Sequence, residues 1–356
     1  MTLLSDPLLL SAGAAGLSLA LNLLILALAS RVPRLSGRAS DLQSVQSVHT
    51  RLTPRIGGAA IVAAVLLVLL VTPAAEGSRL LPVLLAATPL FLAGLSEDLG
   101  FHIAPQWRLA ASFVSCLLAV LLIGAWLDRA GVPGVDGLLR LWPLGVPLTL
   151  LVVVGISNAF NLVDGMNGLF AISGFAAALC LSWLAASLGN PPLMIASALV
   201  AAAILGFFVL NFPFGLVFAG DAGAYTIGFV LAWLGILLVL QEPEVSPWAV
   251  QLLFFWPMTD MFVALWRRRT VRSAMLPDRL HMHQLVLRRL EARFSGRMRR
   301  RMLNPLTTLV LTPFVLAPML AGVLLWNRDG AAFAVFVGCL LGFLAAYRRL
   351  VRQARR

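Results

Sequence analysis

Lysine is absent from this 356-residue sequence, so arginine supplies all 27 positively charged side chains apart from histidine. Charged residues of both signs make up only 12% of the chain, about half the share found in soluble globular domains. Because 60% of the residues are hydrophobic, the composition excludes an ordinary soluble fold and indicates a membrane protein. The three cysteines lie inside apolar runs, which excludes a disulfide framework and a cysteine-based zinc site.

Long apolar runs recur along the whole sequence. Each is long enough, or nearly so, to cross the hydrocarbon core of a bilayer as a helix of about 20 residues. They predict an all-α, polytopic membrane helix bundle of about eleven transmembrane helices, formed by a single domain over 1–356. The predicted spans are 8–30, 57–73, 80–96, 108–127, 143–160, 169–188, 192–211, 222–240, 247–266, 306–326 and 331–347.

The arginines are distributed unequally between the two sides that these spans define. One side carries 23 arginines, 12 of them in a basic loop at 267–305, and the other side carries four. Positive residues remain in the cytoplasm, which predicts an external N-terminus and a cytoplasmic C-terminus in the cytoplasmic (inner) membrane. The arginines therefore follow topology, and anionic lipids rather than nucleic acid are the expected partner. The stretch 285–302 is predicted to form an amphipathic helix on that lipid surface.

Polar motifs collect in the loops of the arginine-rich side, whereas the loops of the other side contain ordinary turns. Ionisable groups at membrane depth are costly and mark function. A secondary transporter is the alternative, but it would place such groups near the midplane, between repeated halves. The motifs are VHTRLTPRIGG (48–58), GLSEDLGFHIAPQWRL (94–109), NAFNLVDGMNGL (158–169), NFPFGLVFAGDAGAY (211–225) and PDRLHMHQL (277–285).

Two of these motifs have the composition of a magnesium site. Asp221 stands between glycines at a predicted helix start, and Asn161 offers a neutral oxygen. Mg²⁺ is commonly held by one or two protein oxygens, with phosphate and water completing its shell. Asn158, Asn161 and Asp164 are three residues apart, so they form one polar stripe if their helix continues to its end.

Arg279, His281 and His283 alternate along the chain. In an extended loop they would share one side and form a cationic clamp for a diphosphate. Zinc is the rival ligand for the two histidines, but no cysteine is near them. Arg55 is either a topological anchor or a phosphate contact. Carboxylates and cations at a membrane surface point to phosphoryl transfer that involves a lipid.

On these motifs the sequence resembles the polyprenyl-phosphate N-acetylhexosamine-1-phosphate transferase family, over about 41–290. The resemblance implies transfer of a sugar 1-phosphate from a UDP-sugar to polyprenyl (undecaprenyl) phosphate, with release of UMP. It implies Mg²⁺ as the cofactor, with Mn²⁺ as a substitute, and an active site on the cytoplasmic face. Such a reaction initiates a lipid-linked cell-envelope glycan, such as O-antigen or another polysaccharide. A homodimer is compatible with the resemblance.

The resemblance also implies roles for individual acids. Asp221 matches the aspartate that binds Mg²⁺, and Asn161 matches an asparagine that helps to hold the ion. Asp98 matches the second acid of a pair beside the lipid phosphate, and Glu97 stands here where an aspartate is usual. Asp164 matches the acid of a DGxxGL motif. Direct attack by the lipid phosphate is favoured over a two-step path through an aspartate nucleophile.

The remaining matches concern the substrates. Asn167 falls where the nucleoside is bound, although an aspartate is frequent at this position. His281 and His283 match a histidine loop near the diphosphate, in which Gln284 replaces a further histidine. Ala224 stands where serine is frequent. These departures leave the phosphate chemistry in place and leave the identity of the sugar open.

Overall fold

The computed structural model describes residues 6–35, 53–72, 80–269 and 280–354. Every regular element in this part of the chain is helical, which confirms the all-α prediction. The α-helices are α1 (Pro7–Ala29), α2 (Gly57–Leu69), α3 (Leu80–Ala86), α4 (Thr88–Asp98), α5 (Pro105–Ile123), α6 (Asp136–Leu139), α7 (Trp142–Val163), α8 (Leu169–Ser187), α9 (Pro191–Asn211), α10 (Gly220–Gln241), α11 (Pro247–Leu253), α12 (Phe255–Arg269), α13 (Met282–Arg293), α14 (Arg300–Leu324) and α15 (Asp329–Ala354).

The predicted spans all coincide with helices, although not every one is a single straight helix. Within the described residues, eight helices are individually long and apolar enough to cross a membrane. The pairs α3–α4 and α11–α12 bend by 53° and 82°, and they raise the count to ten if each pair is one span. At 13 residues α2 is shorter than the about 20 that a full crossing needs. The chain is thus a multi-pass membrane protein, and the number of crossings stays a prediction.

α10 lies at the centre of the bundle. All of its residues from Gly220 to Val239 are buried, and it packs against α2, α4, α7, α8 and α9. Its side chains are apolar on every side beyond the first turn, which is typical of a helix enclosed by other helices. The first turn of α10 carries Asp221, so the packing of the whole bundle positions this carboxylate.

Small residues bring three backbones into direct contact at the start of α10. A Cβ atom at Gly58 would lie 2.1 Å from the Cα atom of Gly223, and one at Gly94 would lie 2.6 Å from the amide nitrogen of Ala222. Membrane helices use small residues in this way because no side chain then separates the backbones. α2 and α4 are therefore held against the segment that carries Asp221.

We expect Gly58→Ala to destabilise the protein by about 1–3 kcal/mol, the usual cost of forcing an extra methyl group into a packed interior. The matched control is Gly338→Ala in α15, where an added Cβ meets no atom within 4 Å. The Tm measured in detergent should therefore fall for Gly58→Ala and stay unchanged for Gly338→Ala. Equal Tm values for the two variants would contradict the backbone contact.

The described loops separate into two groups at opposite ends of the bundle. Described residues of all five polar motifs meet at one end, where they line one pocket. At the other end, Arg129 donates to the carbonyl oxygens of Val239, Glu242 and Val245 at 2.8–3.1 Å. Because Arg129 closes the far end of α10, this arginine on the arginine-poor side has a structural role. This grouping of the described loops agrees with the predicted spans, which place successive loops on alternate sides.

The predicted amphipathic helix at 285–302 is interrupted. α13 ends at Arg293 and α14 begins at Arg300, because Gly296 adopts a left-handed backbone (φ +73°) that breaks the helix. α13 nevertheless has a buried side, formed by Met282, His283, Leu285 and Leu287, which packs against α14 and α15. The basic residues of α13 therefore lie on the side of this helix that faces away from the bundle.

Candidate active site

The pocket at the motif end has a volume of about 390 Å³. It gathers most of the predicted site residues, although they come from distant parts of the chain. Those on its wall are Arg55, Glu97, Asp98, Asn158, Asn161, Asp221, His281 and His283. Arg34, Arg108, Gly165, Tyr225 and Gln284 complete its polar lining. Arg279 lies outside the described residues, so its predicted role is not addressed by the structure.

Asp221 is the acid with two arginines beside it. Its side chain is 6% exposed, and one carboxylate oxygen contacts the guanidinium of Arg108 from the first turn of α5. The other oxygen lies 3.9 Å from Nη2 of Arg55. Two guanidinium groups beside a buried carboxylate offset the cost of burying its charge, so this position suits an acid that faces cations.

Two further carboxylates bind the backbone that leads into Asp221. Asp98 accepts hydrogen bonds from the amides of Asp221 (2.9 Å) and Ala222 (2.8 Å). Asp164 accepts from the amides of Ala219 (3.1 Å) and Gly220 (2.9 Å). Amides at the start of a helix have no partner within it, and they favour negative charge. Two acids at the ends of α4 and α7 therefore orient four successive amides and, with them, the Asp221 side chain.

Gly220 allows a second chain segment to approach this turn. Its φ of +72° is left-handed, and a Cβ atom there would lie 1.7 Å from the carbonyl oxygen of Arg55. Next to it, the amide of Phe218 donates to the carbonyl oxygen of Pro54 at 2.8 Å. The amide of Gly57 donates to the carbonyl oxygen of Phe218 at 2.9 Å. This pairing positions Arg55 at the pocket beside Asp221, and its contact with phosphate stays a prediction.

The polar stripe predicted on α7 reaches the pocket with two of its three residues. Asn158 and Asn161 line the pocket, whereas Asp164, which caps the end of α7, accepts hydrogen bonds from the amides at the start of α10. Burial raises the pKa of Asp164 to about 7, while Arg55 and the two amides act in the opposite direction. The charge of Asp164 near neutral pH therefore depends on these partners.

Asn167 lies apart from the pocket lining. Its side-chain amide donates to the carbonyl oxygen of Pro213 at 2.8 Å, and its backbone is bound by Asn304 and Thr308 of α14. Gly168, which follows, has a left-handed φ of +83°. These contacts fix the loop between α7 and α8, and the nucleoside-binding role of Asn167 stays a prediction.

His281 and His283 lie on the same side of the pocket, as predicted, but the backbone that places them there is not an extended loop. The extended backbone expected here ends at His281, because α13 begins at Met282. The two rings are stacked with their centroids 5.7 Å apart and their planes at 5°. Their Nδ1 atoms lie 3.6 and 3.4 Å from Oδ2 of Asp260, a buried residue of α12.

Arg108 and Tyr225 were not among the residues predicted for the site. Tyr225 lies four residues after Asp221 on α10, hence on the same helical face, and it is hydrogen-bonded by Asn161. That spacing was available in the sequence, as was the position of Arg108 in the first turn of an apolar helix. The pairing of Arg108 with Asp221 joins residues 113 positions apart, and no local pattern indicates it.

The donor atoms in the pocket suit a hard cation that is shared with phosphate. Asp221 and Asn161 are oxygen ligands on one wall, and the Arg108 guanidinium now lies where a cation would be attracted. Within the described part of the chain, no three of the His, Cys, Asp and Glu side chains cluster closely enough to bind a metal ion by themselves. This set fits Mg²⁺, which keeps water and phosphate ligands, better than a zinc ion enclosed by protein.

Comparison with known proteins places the chain in a family. The family model described as glycosyl transferase family 4 matches residues 80–239, from the start of α3 to near the end of α10. A decaprenyl-phosphate N-acetylglucosaminephosphotransferase of Mycobacterium tuberculosis is 31% identical over 276 residues, covering 68% of this chain and 67% of the relative.

Two further relatives match at similar length. A protein of Bacillus subtilis named as a probable undecaprenyl-phosphate N-acetylglucosaminyl 1-phosphate transferase is 27% identical, over 70% of each chain. An undecaprenyl-phosphate alpha-N-acetylglucosaminyl 1-phosphate transferase of Yersinia pestis is 29% identical, over 70% of this chain and 69% of the relative. The chain therefore belongs to glycosyl transferase family 4, as one of the polyprenyl-phosphate N-acetylhexosamine-1-phosphate transferases.

Proposed function

We propose that this protein transfers an N-acetylhexosamine 1-phosphate from a UDP-sugar to polyprenyl phosphate and releases UMP. The observation that carries the proposal is the pocket itself, in which Asp221, two arginines and two histidines meet at one end of an apolar helix bundle. A lipid phosphate can reach this end while its hydrocarbon chain remains among the helices. The relatives named above are transferases of the same class on undecaprenyl or decaprenyl phosphate.

The reaction needs alignment and charge neutralisation more than it needs a strong base. A phosphate monoester is already a nucleophile near neutral pH, so the protein has to bring it in line with the diphosphate. Arg55 and Arg108 supply positive charge on the wall of the pocket that contains Asp221. Asp221 and Asn161 would hold Mg²⁺, or Mn²⁺ in its place, which when bound neutralises charge on the diphosphate.

The hydrogen bonds of the acids support direct attack by the lipid phosphate over a two-step path through an aspartate nucleophile. A nucleophilic carboxylate has to offer a lone pair to phosphorus. Both oxygens of Asp98 accept backbone amides, and so do both oxygens of Asp164. Asp221 is engaged with arginine, and Glu97 is the remaining pocket carboxylate. The lipid phosphate is therefore the better nucleophile in this proposal.

The pocket is proposed to open to the cytoplasm. Arg34, Arg55 and Arg108 line the pocket and belong to the arginine-rich side that the predicted spans define. Positive residues remain on the cytoplasmic side. The exposed arginines of α15, Arg348, Arg349 and Arg352, are close to this surface and suited to anionic lipid headgroups. The site would then take its sugar nucleotide from the cytoplasm of a cell whose inner membrane holds the protein.

Two reporter fusions test this orientation. A reporter after Arg356 should behave as cytoplasmic, and one inserted at 242–246, at the end of the bundle opposite the pocket, should behave as external. Alkaline phosphatase and green fluorescent protein, fused in turn at each position, provide opposite signals and so act as mutual controls. Finding both positions on the same side would contradict the arrangement.

The function is tested with membranes that contain the protein, added polyprenyl phosphate and a panel of UDP-sugars. We expect release of UMP and formation of a lipid-linked sugar diphosphate that depend on both substrates and on Mg²⁺. A panel of UDP-GlcNAc, UDP-GalNAc and their 6-deoxy derivatives would identify the sugar. A secondary transporter would release no UMP, so absence of UMP with every donor would overturn the proposal.

A further inference from the structure

Asp260 is a buried carboxylate that faces both pocket histidines. It is 1% exposed, on α12, while His281 and His283 are 4% and 3% exposed. Its Oδ2 atom is the shared neighbour of the two Nδ1 atoms, at 3.6 and 3.4 Å. Within the described residues none of these three buried atoms has a closer hydrogen-bond partner. Because leaving a buried polar atom unpaired is costly, these three atoms are most stable when they pair with one another.

The other contacts of α12 hold the start of α13 in this position. Oδ1 of Asp260 accepts the amide of Met282 at 3.0 Å. Arg267, two helical turns further along α12, donates to the carbonyl oxygen of Leu280 at 3.2 Å. The backbone on both sides of His281 is thus bound to α12, so the carboxylate and the rings cannot easily separate.

This arrangement determines where each ring carries its proton. Burial lowers the pKa of His283, so its neutral form is favoured near neutral pH despite the opposing effect of Asp260. A neutral imidazole has a single N–H, and a carboxylate next to Nδ1 draws the proton to that atom. Nε2, on the far side of the ring from Asp260, is then an acceptor.

We propose that Asp260 is a positioning residue that fixes both histidines, in their neutral form, as the Nδ1–H tautomer and presents the unprotonated Nε2 atoms to the pocket. In that form the histidines are hydrogen-bond acceptors, suited to hydroxyl groups of a bound sugar nucleotide, and not a cationic clamp. The identity of that ligand rests on the proposed function, whereas the tautomer does not.

The tautomer can be measured without any substrate. The chain has only four histidines, so ¹⁵N-histidine labelling gives a sparse spectrum in which protonated and unprotonated ring nitrogens have distinct shifts. His49→Gln and His102→Gln assign the signals of the other two histidines. At a pH where the spectrum shows each ring to be neutral, we expect Nε2 of His281 and of His283 to have the shift of an unprotonated nitrogen. An Nε2–H tautomer for either histidine at that pH would overturn the proposal.

The Asp260→Asn variant provides a second test of the proposal. Asparagine keeps the oxygen that accepts the Met282 amide, but its NH₂ group can only donate to Nδ1, so both tautomers should reverse. We expect the transfer rate to fall by about 10- to 100-fold, the usual effect of removing a carboxylate that orients a functional histidine. Asp136→Asn, which removes a backbone-binding carboxylate at the opposite end, is the matched control.

Together, the spectrum of the wild type and the Asp260→Asn variant show which part of the proposal fails if a result is unexpected. Reversed tautomers with an unchanged rate would show that Asp260 does not position the histidines for catalysis, and unchanged tautomers would refute its effect on the rings. If the wild type has the expected tautomers but no UDP-sugar releases UMP, the proposed function fails and the tautomer assignment stands. If Asp260→Asn does not accumulate in membranes, the spectrum of the wild type decides the assignment alone.

Discussion

Asp221→Asn is expected to lower the rate of sugar 1-phosphate transfer by about 100- to 1000-fold, the effect of removing one electrostatic group from a preorganised site. Asparagine keeps the shape of the side chain but removes the charge that Arg108 and Arg55 face and that would hold Mg²⁺. The fold should persist, because Asp98 and Asp164 still bind the amides at the start of α10. UMP release at saturating substrates measures the rate, and an immunoblot of the membranes measures the amount of protein.

The Mg²⁺ dependence of this variant distinguishes a metal ligand from a structural acid. A ligand variant should recover part of its rate as Mg²⁺ is raised well above the ordinary concentration, since weaker binding is offset by mass action. Asp136→Asn should resemble the wild type at every Mg²⁺ concentration. Normal activity of Asp221→Asn at ordinary Mg²⁺ would mean that the ion is held elsewhere.

Asp98→Asn is expected to combine a large loss of turnover with a loss of stability. The Asp98 carboxylate accepts two amides at once, whereas asparagine has one oxygen and cannot accept both. The unpaired amide costs about 1–3 kcal/mol, and the first turn of α10 loses the contact that orients Asp221. Turnover at saturating UDP-sugar should fall by about 100-fold, accompanied by a lower Tm in detergent.

Glu97→Asp is the matched comparison, because Glu97 precedes Asp98 and lines the same pocket. It keeps the charge and shortens the side chain by one methylene, so its rate should stay near that of the wild type. A rise in KM with normal turnover for Asp98→Asn would assign Asp98 to substrate binding. Normal turnover together with a normal Tm would contradict its role in holding the start of α10.

The sequence by itself determined the class of protein and the location of its chemistry. Apolar runs of near-membrane length predicted helices that the structure contains, because hydropathy is a local property of the chain. The alternation of the loops brought the motifs of Asp221, Asn161 and His281 to one end of the bundle. Motif order was sufficient for the family resemblance, which the relatives confirm.

Only the tertiary structure decided what each acid contacts. Asp98 and Asp164 were predicted to act on the substrates. In the structure both carboxylates accept backbone amides more than 50 residues away, and Asp98 also lines the pocket. Helices that are apolar all round, such as α10, have no amphipathic pattern from which their rotation could be derived. The pairing of Arg108 with Asp221, and of Asp260 with the histidines, depends on that rotation. Local sequence determines which residues reach the membrane surface, but helix packing selects their partners.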